Sequence, residues 1–108
     1  MAKEIKNLAI VNPIANIETT AFHQGGSPGL YLVSVIVSNN ALDDARFDIT
    51  VFNNSASTNN AYVAKGQLIS GRNSYETHRF TLDYYDNIHI KSTSSSVSFL
   101  ISGVNQTE

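Results

Sequence analysis

Three histidines, His23, His78 and His89, are the side chains best suited to proton transfer or metal ligation near neutral pH. None stands in a His-x-x-x-His spacing, so the chain lacks a short-range zinc motif. His78 and His89 would have to meet across neighbouring strands to act together; otherwise each is an ordinary strand or loop histidine. The carboxylates cluster as Asp43-Asp44 and Asp83…Asp86. The segment Asp83-Tyr84-Tyr85-Asp86-Asn87 offers oxygen ligands to calcium but lacks the Asp-x-Asp-x-Asp-Gly spacing of a dedicated loop. Asp and Asn in such a turn ordinarily accept hydrogen bonds from nearby backbone N–H groups. Paired acids for glycoside hydrolysis need a groove that fixes their separation, and no groove is legible here. Serines are plentiful, yet there is no Gly-x-Ser-x-Gly elbow. Gly25-Gly26 and Gly66…Gly71 do not open a helix, which argues against a phosphate cradle. Cysteine is absent, so neither a disulfide framework nor a thiolate metal site can form. These residues assign no catalytic, metal or cofactor set, and a non-enzymatic protein is expected.

The tyrosines suggest binding instead. Tyr31, Tyr62, Tyr75, Tyr84 and Tyr85 are the main amphipathic rings, and tryptophan is missing. An exposed ring can stack on a sugar, and adjacent Tyr84-Tyr85 would turn at least one ring outward. Tyr84 and Tyr85 are therefore candidate glycan contacts, with the polar loop Asn53–Asn60 beside them; the competing role is packing with the hydroxyl in water.

The formal charge is −2, and no Lys/Arg cluster exists, so a nucleic-acid partner is not expected. No apolar run reaches the ~18 residues of a membrane-spanning helix. Met1-Ala2-Lys3-Glu4-Ile5-Lys6 lacks the apolar stretch of a secretion signal, which points to synthesis in the cytoplasm. Charged residues are only 15% of the chain, while Asn, Ser and Thr make up close to a third. A cytosolic enzyme usually covers its surface with Lys and Glu. Hydroxyl and amide side chains suit strand faces and tight turns, as on extracellular or virion β-proteins. Asn53-Asn54-Ser55 and Asn105-Gln106-Thr107 match the glycosylation sequon, read as chance without a secretory signal.

The elements that must position these residues are strands. In Arg46-Phe47-Asp48-Ile49-Thr50-Val51 the apolar residues alternate with polar ones, the period of a half-buried strand. Similar runs are Glu18–His23, Ala61–Leu68, Ser74–Leu82, Asn87–Lys91 and Val97–Val104. Polar turns part them every 8–12 residues, the strongest being Gln24-Gly25-Gly26-Ser27-Pro28-Gly29. Leu30–Ser38 is apolar on both faces, as a central strand is. Its row Tyr31, Val33, Val35 and Val37 is a candidate interface, buried within the chain or against another subunit. Ile5–Ile17 carries Ile10 and Ile14 and is broken by Pro13. It reads as an extended N-terminal arm over 1–17 on a neighbouring subunit, with Ile10 and Ile14 as contacts, or as a plain first strand. The pattern predicts one all-β domain over 1–108: an antiparallel two-sheet β-sandwich, jelly-roll-like or immunoglobulin-like, of seven to eight strands.

The order of motifs adds a resemblance. Tyr31-Leu32-Val33-Ser34-Val35-Ile36-Val37-Ser38-Asn39 leads through an Asp/Ala turn to Arg46-Phe47-Asp48-Ile49-Thr50-Val51. Tyr62-Val63-Ala64-Lys65-Gly66, Asp86-Asn87-Ile88-His89-Ile90-Lys91-Ser92 and Val97-Ser98-Phe99 follow. Over its last three quarters the chain resembles small β-sandwich virion proteins of tailed bacteriophages, especially phages of marine bacteria. The resemblance implies a structural subunit without enzymatic activity, decorating the capsid or belonging to the head, neck, tail or fibres. It implies partners that are copies of itself, a trimer being favoured, and other virion proteins. The virion would then be its location. The alternative expectation is a carbohydrate-binding sandwich.

Overall fold

The computed structural model describes residues 5–23, 31–52, 60–82 and 86–105, with side chains over 8–22, 32–52, 61–82 and 86–104. Nine strands follow in order: β1 (Ile5–Val11), β2 (Thr19–His23), β3 (Tyr31–Asn39), β4 (Ala45–Phe52), β5 (Asn60–Ile69), β6 (Ser74–Glu76), β7 (Phe80–Leu82), β8 (Asn87–Ser92) and β9 (Val97–Asn105). Among the described residues there is no helix.

Two antiparallel sheets face each other. The first has the order β1-β9-β3-β6, with β7 pairing β3 beside β6; the second runs β2-β8-β4-β5. The path is one long hairpin rolled up. Its nested arms are β1 with β9, β2 with β8, β3 with β6 and β7, and β4 with β5. Rolling then adds β3 against β9 and β4 against β8. That is jelly-roll order. It decides against the immunoglobulin alternative, in which the two sheets divide the strands differently.

Alternation places the core between the sheets. Val33, Val35 and Val37 from β3, with Val97, Phe99 and Ile101 from β9, meet Phe47 and Ile49 from β4 and Ile88 and Ile90 from β8. Phe47 lies edge-on to Phe99 at 5.9 Å and to Tyr75 at 5.4 Å between ring centroids, the favoured aromatic geometry. Each such buried side chain stabilises the fold by about 1.5–3 kcal/mol relative to exposure.

Ser74–Leu82, expected as one strand, is two. β6 pairs Ile36–Ser38 and β7 pairs Tyr31–Val33. Between them Thr77 is buried, and its Oγ1 accepts the Val35 N–H at 3.0 Å while its own N–H donates to Val35 O at 3.0 Å. The side-chain hydroxyl replaces a ladder carbonyl, so the edge turns aside without orphaning a backbone donor. Ile5–Val11 is likewise an edge strand along β9. The arm expected over 1–17 is thus, from residue 5, a strand and connection of the same sandwich. Its apolar residues pair with β9 because a free strand would leave its backbone groups without partners.

The connections after β1, β3, β5 and β8 leave at one end and are tied together. Asn16 N–H donates to Ser92 O at 2.7 Å, Asn40 N–H to Ser96 O at 3.1 Å and Arg72 N–H to Ala41 O at 2.9 Å. Asn39, 2% exposed, is the hub. Its Nδ2 donates to Asp43 O at 2.8 Å and Ile69 O at 3.2 Å, and its Oδ1 accepts the Ala41 N–H at 3.1 Å.

Candidate functional site

The sequence candidates do not converge. His78 lies between β6 and β7 on the edge of the first sheet, and His89 is on β8 in the second. A hydrolytic pair of the two is therefore ruled out by topology. His23 pairs its backbone with Asn87, and its side chain lies outside the described residues. Tyr84, Tyr85 and residues 53–59 also lie outside them. Of the acids, Asp44 accepts the Gly71 N–H at 3.2 Å, which is a turn bond, and Asp86 is buried just before β8. Among the described residues no group of three or more His, Asp or Glu side chains could hold a metal ion.

The expected interface row divides. Val33, Val35 and Val37 are 0% exposed in the core of the single chain. They cannot meet another subunit, because strand alternation turns that row toward the second sheet. The outward row of β3 is Leu32, Ser34, Ile36 and Ser38. The backbone of Tyr31 pairs with Leu82 and Asn105; its side chain lies outside the described residues. Ile10 and Ile14 are 67% and 71% exposed. Ile17 and Leu42, not singled out from sequence, are also exposed; Leu42 reaches 78%. Ile14, Ile17 and Leu42 sit in the connections at the tied end.

The outer face of the second sheet holds a constellation of polar groups with a cavity at its centre. Register sets the residues. Thr20 on β2 and Thr50 on β4 both pair with His89, and Thr50 pairs with Tyr62 on β5. One polar row thus crosses the four strands. Glu18, just before β2, reaches over it: its Oε2 is 2.6 Å from His89 Nδ1. Nε2 lies 3.3 Å from the Thr20 hydroxyl, whose proton it accepts in the neutral tautomer protonated on Nδ1. Phe52 braces the imidazole, ring centroids 4.4 Å apart.

A bulge builds the other wall. Phe47 pairs with Gln67 and Ile49 with Ala64, so Lys65 and Gly66 together face Asp48. Gly66 adopts φ 58°, a left-handed conformation glycine enters without a Cβ penalty. Asp48 Oδ1 accepts the Gly66 N–H at 2.7 Å, and Arg46 donates to Gly66 O at 2.9 Å. Lys65 is thereby held with its Nζ 3.9 Å from Asp48 Oδ2 and 4.6 Å above the Tyr62 ring. Glu18, Asp48, Thr50, Tyr62, Lys65 and His89 enclose a cavity of about 140 Å³, and Lys91 closes one side.

Glu18, His89 and Thr20 have the order of an acid, a base and a hydroxyl nucleophile. Acyl transfer would also need two backbone N–H donors aimed at an oxyanion. β8 is paired on both sides, with β2 and β4, so its backbone donors are committed to the sheet. The chain of groups holds the imidazole in place.

Sequence reading saw the outward set Arg46, Asp48 and Thr50 but not the site. Glu18, Tyr62 and Lys65 come together only through sheet order, and the one local signal was a glycine inside the β5 strand.

No family model matches the chain, and no curated protein matches it. Solved structures do match. A chain of the T13 particle of infectious bursal disease virus, an icosahedral virus, is similar over 94% of this chain, with TM-score 0.60 and 8% identity. A chain of the Gx strain of the same virus is similar over 95%, with TM-score 0.60 and 9% identity. This chain spans only 30% of the length of each of those viral chains. A xylanase of Clostridium thermocellum is similar over 98% of this chain and 25% of its own, with 14% identity and TM-score 0.46. At these identities the viral likeness establishes the sandwich fold.

Proposed function

We propose that this chain is a non-enzymatic structural subunit of a virion. The finer reading is a tailed-bacteriophage protein that decorates the capsid or belongs to the head, neck or tail. The observation that carries the proposal is the likeness of this sandwich to a chain of an icosahedral virus particle over 94% of this sequence. The surface supports it. Exposed Ile14, Ile17 and Leu42 lie at one end of the sandwich, on connections cross-tied by backbone hydrogen bonds. Apolar side chains on a firmly held end suit docking against another protein surface. In this reading the chain assembles with copies of itself, a trimer being favoured, and with other virion proteins, each contact multiplied by the lattice.

Light scattering over a concentration series tests the self-assembly. A closed oligomer is expected, and Ile14→Asp or Leu42→Asp is expected to reduce it to monomer while the far-ultraviolet circular dichroism of the folded sandwich is kept. A monomer at every concentration overturns the oligomeric reading.

A further inference from the structure

We propose that the outer face of the second sheet binds a neutral saccharide, one ring seated among Glu18, Asp48, Thr50, Tyr62, Lys65 and His89. The site is distinct from the Tyr84-Tyr85 pair suggested by sequence, and the proposal rests on no part of the virion reading.

Size comes first. A cavity of about 140 Å³ has room for several waters, and so for the hydroxyl-bearing edge of one sugar ring, not for a chain of them. Charge comes second. Each acid has a cationic or imidazole partner: Asp48 Oδ2 lies 3.9 Å from Lys65 Nζ, and Glu18 Oε2 lies 2.6 Å from His89 Nδ1. The two carboxylates are matched by Lys65 and Lys91, so the site has no clear excess of charge with which to hold an anion. A divalent cation is opposed by Lys65 and Lys91, and among the described residues no group of three or more acid or histidine side chains could hold a metal ion. What remains is a ligand without charge.

Hydrogen-bond inventory narrows the class. Carboxylates only accept and ammonium groups only donate, while Thr50 and Tyr62 do both. A sugar hydroxyl donates one proton and accepts on its oxygen. Neighbouring hydroxyls on one ring can therefore satisfy Asp48 and Lys65 together, or Glu18 and Thr50 together. Tyr62, 52% exposed, carries Lys65 Nζ over one face of its ring, 4.6 Å from the centroid, which leaves the opposite face for the C–H face of a sugar. Preorganisation completes the case. Most of these residues stand on strands, and Lys65, Asp48 and His89 are each held by a second group, so little ordering remains to be done on binding.

Amide-resolved NMR titration of the full chain tests this, with glucose, galactose, mannose and N-acetylglucosamine as probes and inorganic phosphate as the anionic comparison. At least one sugar is expected to shift the Thr50, Tyr62 and His89 amides saturably, with millimolar affinity. Tyr62→Ala and Glu18→Gln, both at exposed positions, are each expected to weaken that sugar at least tenfold with the rest of the spectrum unchanged. No saturable shift at those amides with any of the four sugars overturns the proposal. So does a response to phosphate alone, or full affinity in both variants.

Discussion

Asn39 is buried at the point where three segments meet, so its loss should cost more than any surface change. Its side chain satisfies two carbonyls, Asp43 O and Ile69 O, and one N–H, that of Ala41. The Ile69 bond is buried and the other two are partly so. Leaving a buried backbone group without its partner costs about 1–3 kcal/mol, and a part-exposed one about 0.5–1.5 kcal/mol. Asn39→Ala should therefore destabilise the chain by about 3 kcal/mol. That is a large share of the ~5–15 kcal/mol that holds a domain of this size together. Asn39→Leu separates hydrogen bonding from packing, since leucine refills most of the volume yet bonds to none of the three groups. The two variants should lose similar amounts. Urea unfolding reads this directly: with m of about 1–2 kcal/mol/M, the midpoint should fall by about 1.5–3 M at constant m. A leucine variant within ~0.5 kcal/mol of the parent would refute the reasoning, because packing would then explain the whole effect.

Of the described glycines, Gly71→Ala should be the most damaging: its methyl would lie 2.0 Å from Leu42 O and 2.4 Å from Leu42 C, both backbone, so the β3–β4 connection must move. A loss above ~4 kcal/mol is expected, seen as a collapse of the thermal midpoint. Gly66→Ala meets nothing within 4 Å, so only its φ of +58° is penalised; thermal unfolding should show a loss of about 1–2 kcal/mol, and less for Gly66→Asn. Thr77→Val keeps the shape but leaves the Val35 N–H without its acceptor; about 1–3 kcal/mol should be lost, and hydrogen exchange at Val35 should quicken. Asn16 has φ 64°, so Asn16→Val should cost about 1–2 kcal/mol in urea unfolding while Asn16→Gly costs nothing measurable.

How far the sequence could be read depended on whether the signal was local. β4 was legible to the residue, because Phe47, Ile49 and Val51 alternate with polar neighbours and polar stretches of sequence flank the run. β3 was legible as a central strand, and it is flanked by β9 on one side and by β6 and β7 on the other. Which of its rows faces the core was open, since Val33, Val35, Val37 and Leu32, Ile36 are all apolar; the serines at 34 and 38 were the available hint. The break at Thr77 left no trace, because threonine favours strands and its hydroxyl acts only once Val35 lies opposite. The choice between jelly roll and immunoglobulin order was illegible for a deeper reason. Alternation records which face of a strand is buried, not which strand lies beside it. The cross-strand row Thr20, His89, Thr50 and Tyr62 depends wholly on that order. Glu18 and His89, 71 residues apart in sequence, touch only because β2 and β8 are nested arms of the rolled hairpin.

Rolling also decides how the two proposed surfaces relate. Ile14 and Ile17 belong to the docking end and Glu18 to the polar cavity, yet all three lie on the connection between β1 and β2. That connection is fastened at Asn16, whose N–H bonds to Ser92 at the end of β8, and again at Glu18, which bonds to His89 in the middle of the same strand. A partner seated on Ile14 and Ile17 therefore presses on a segment whose far end holds the imidazole in place. Glu18 lines the cavity while its neighbour Ile17 is exposed on the docking end, so the two proposed surfaces meet at residues 17 and 18.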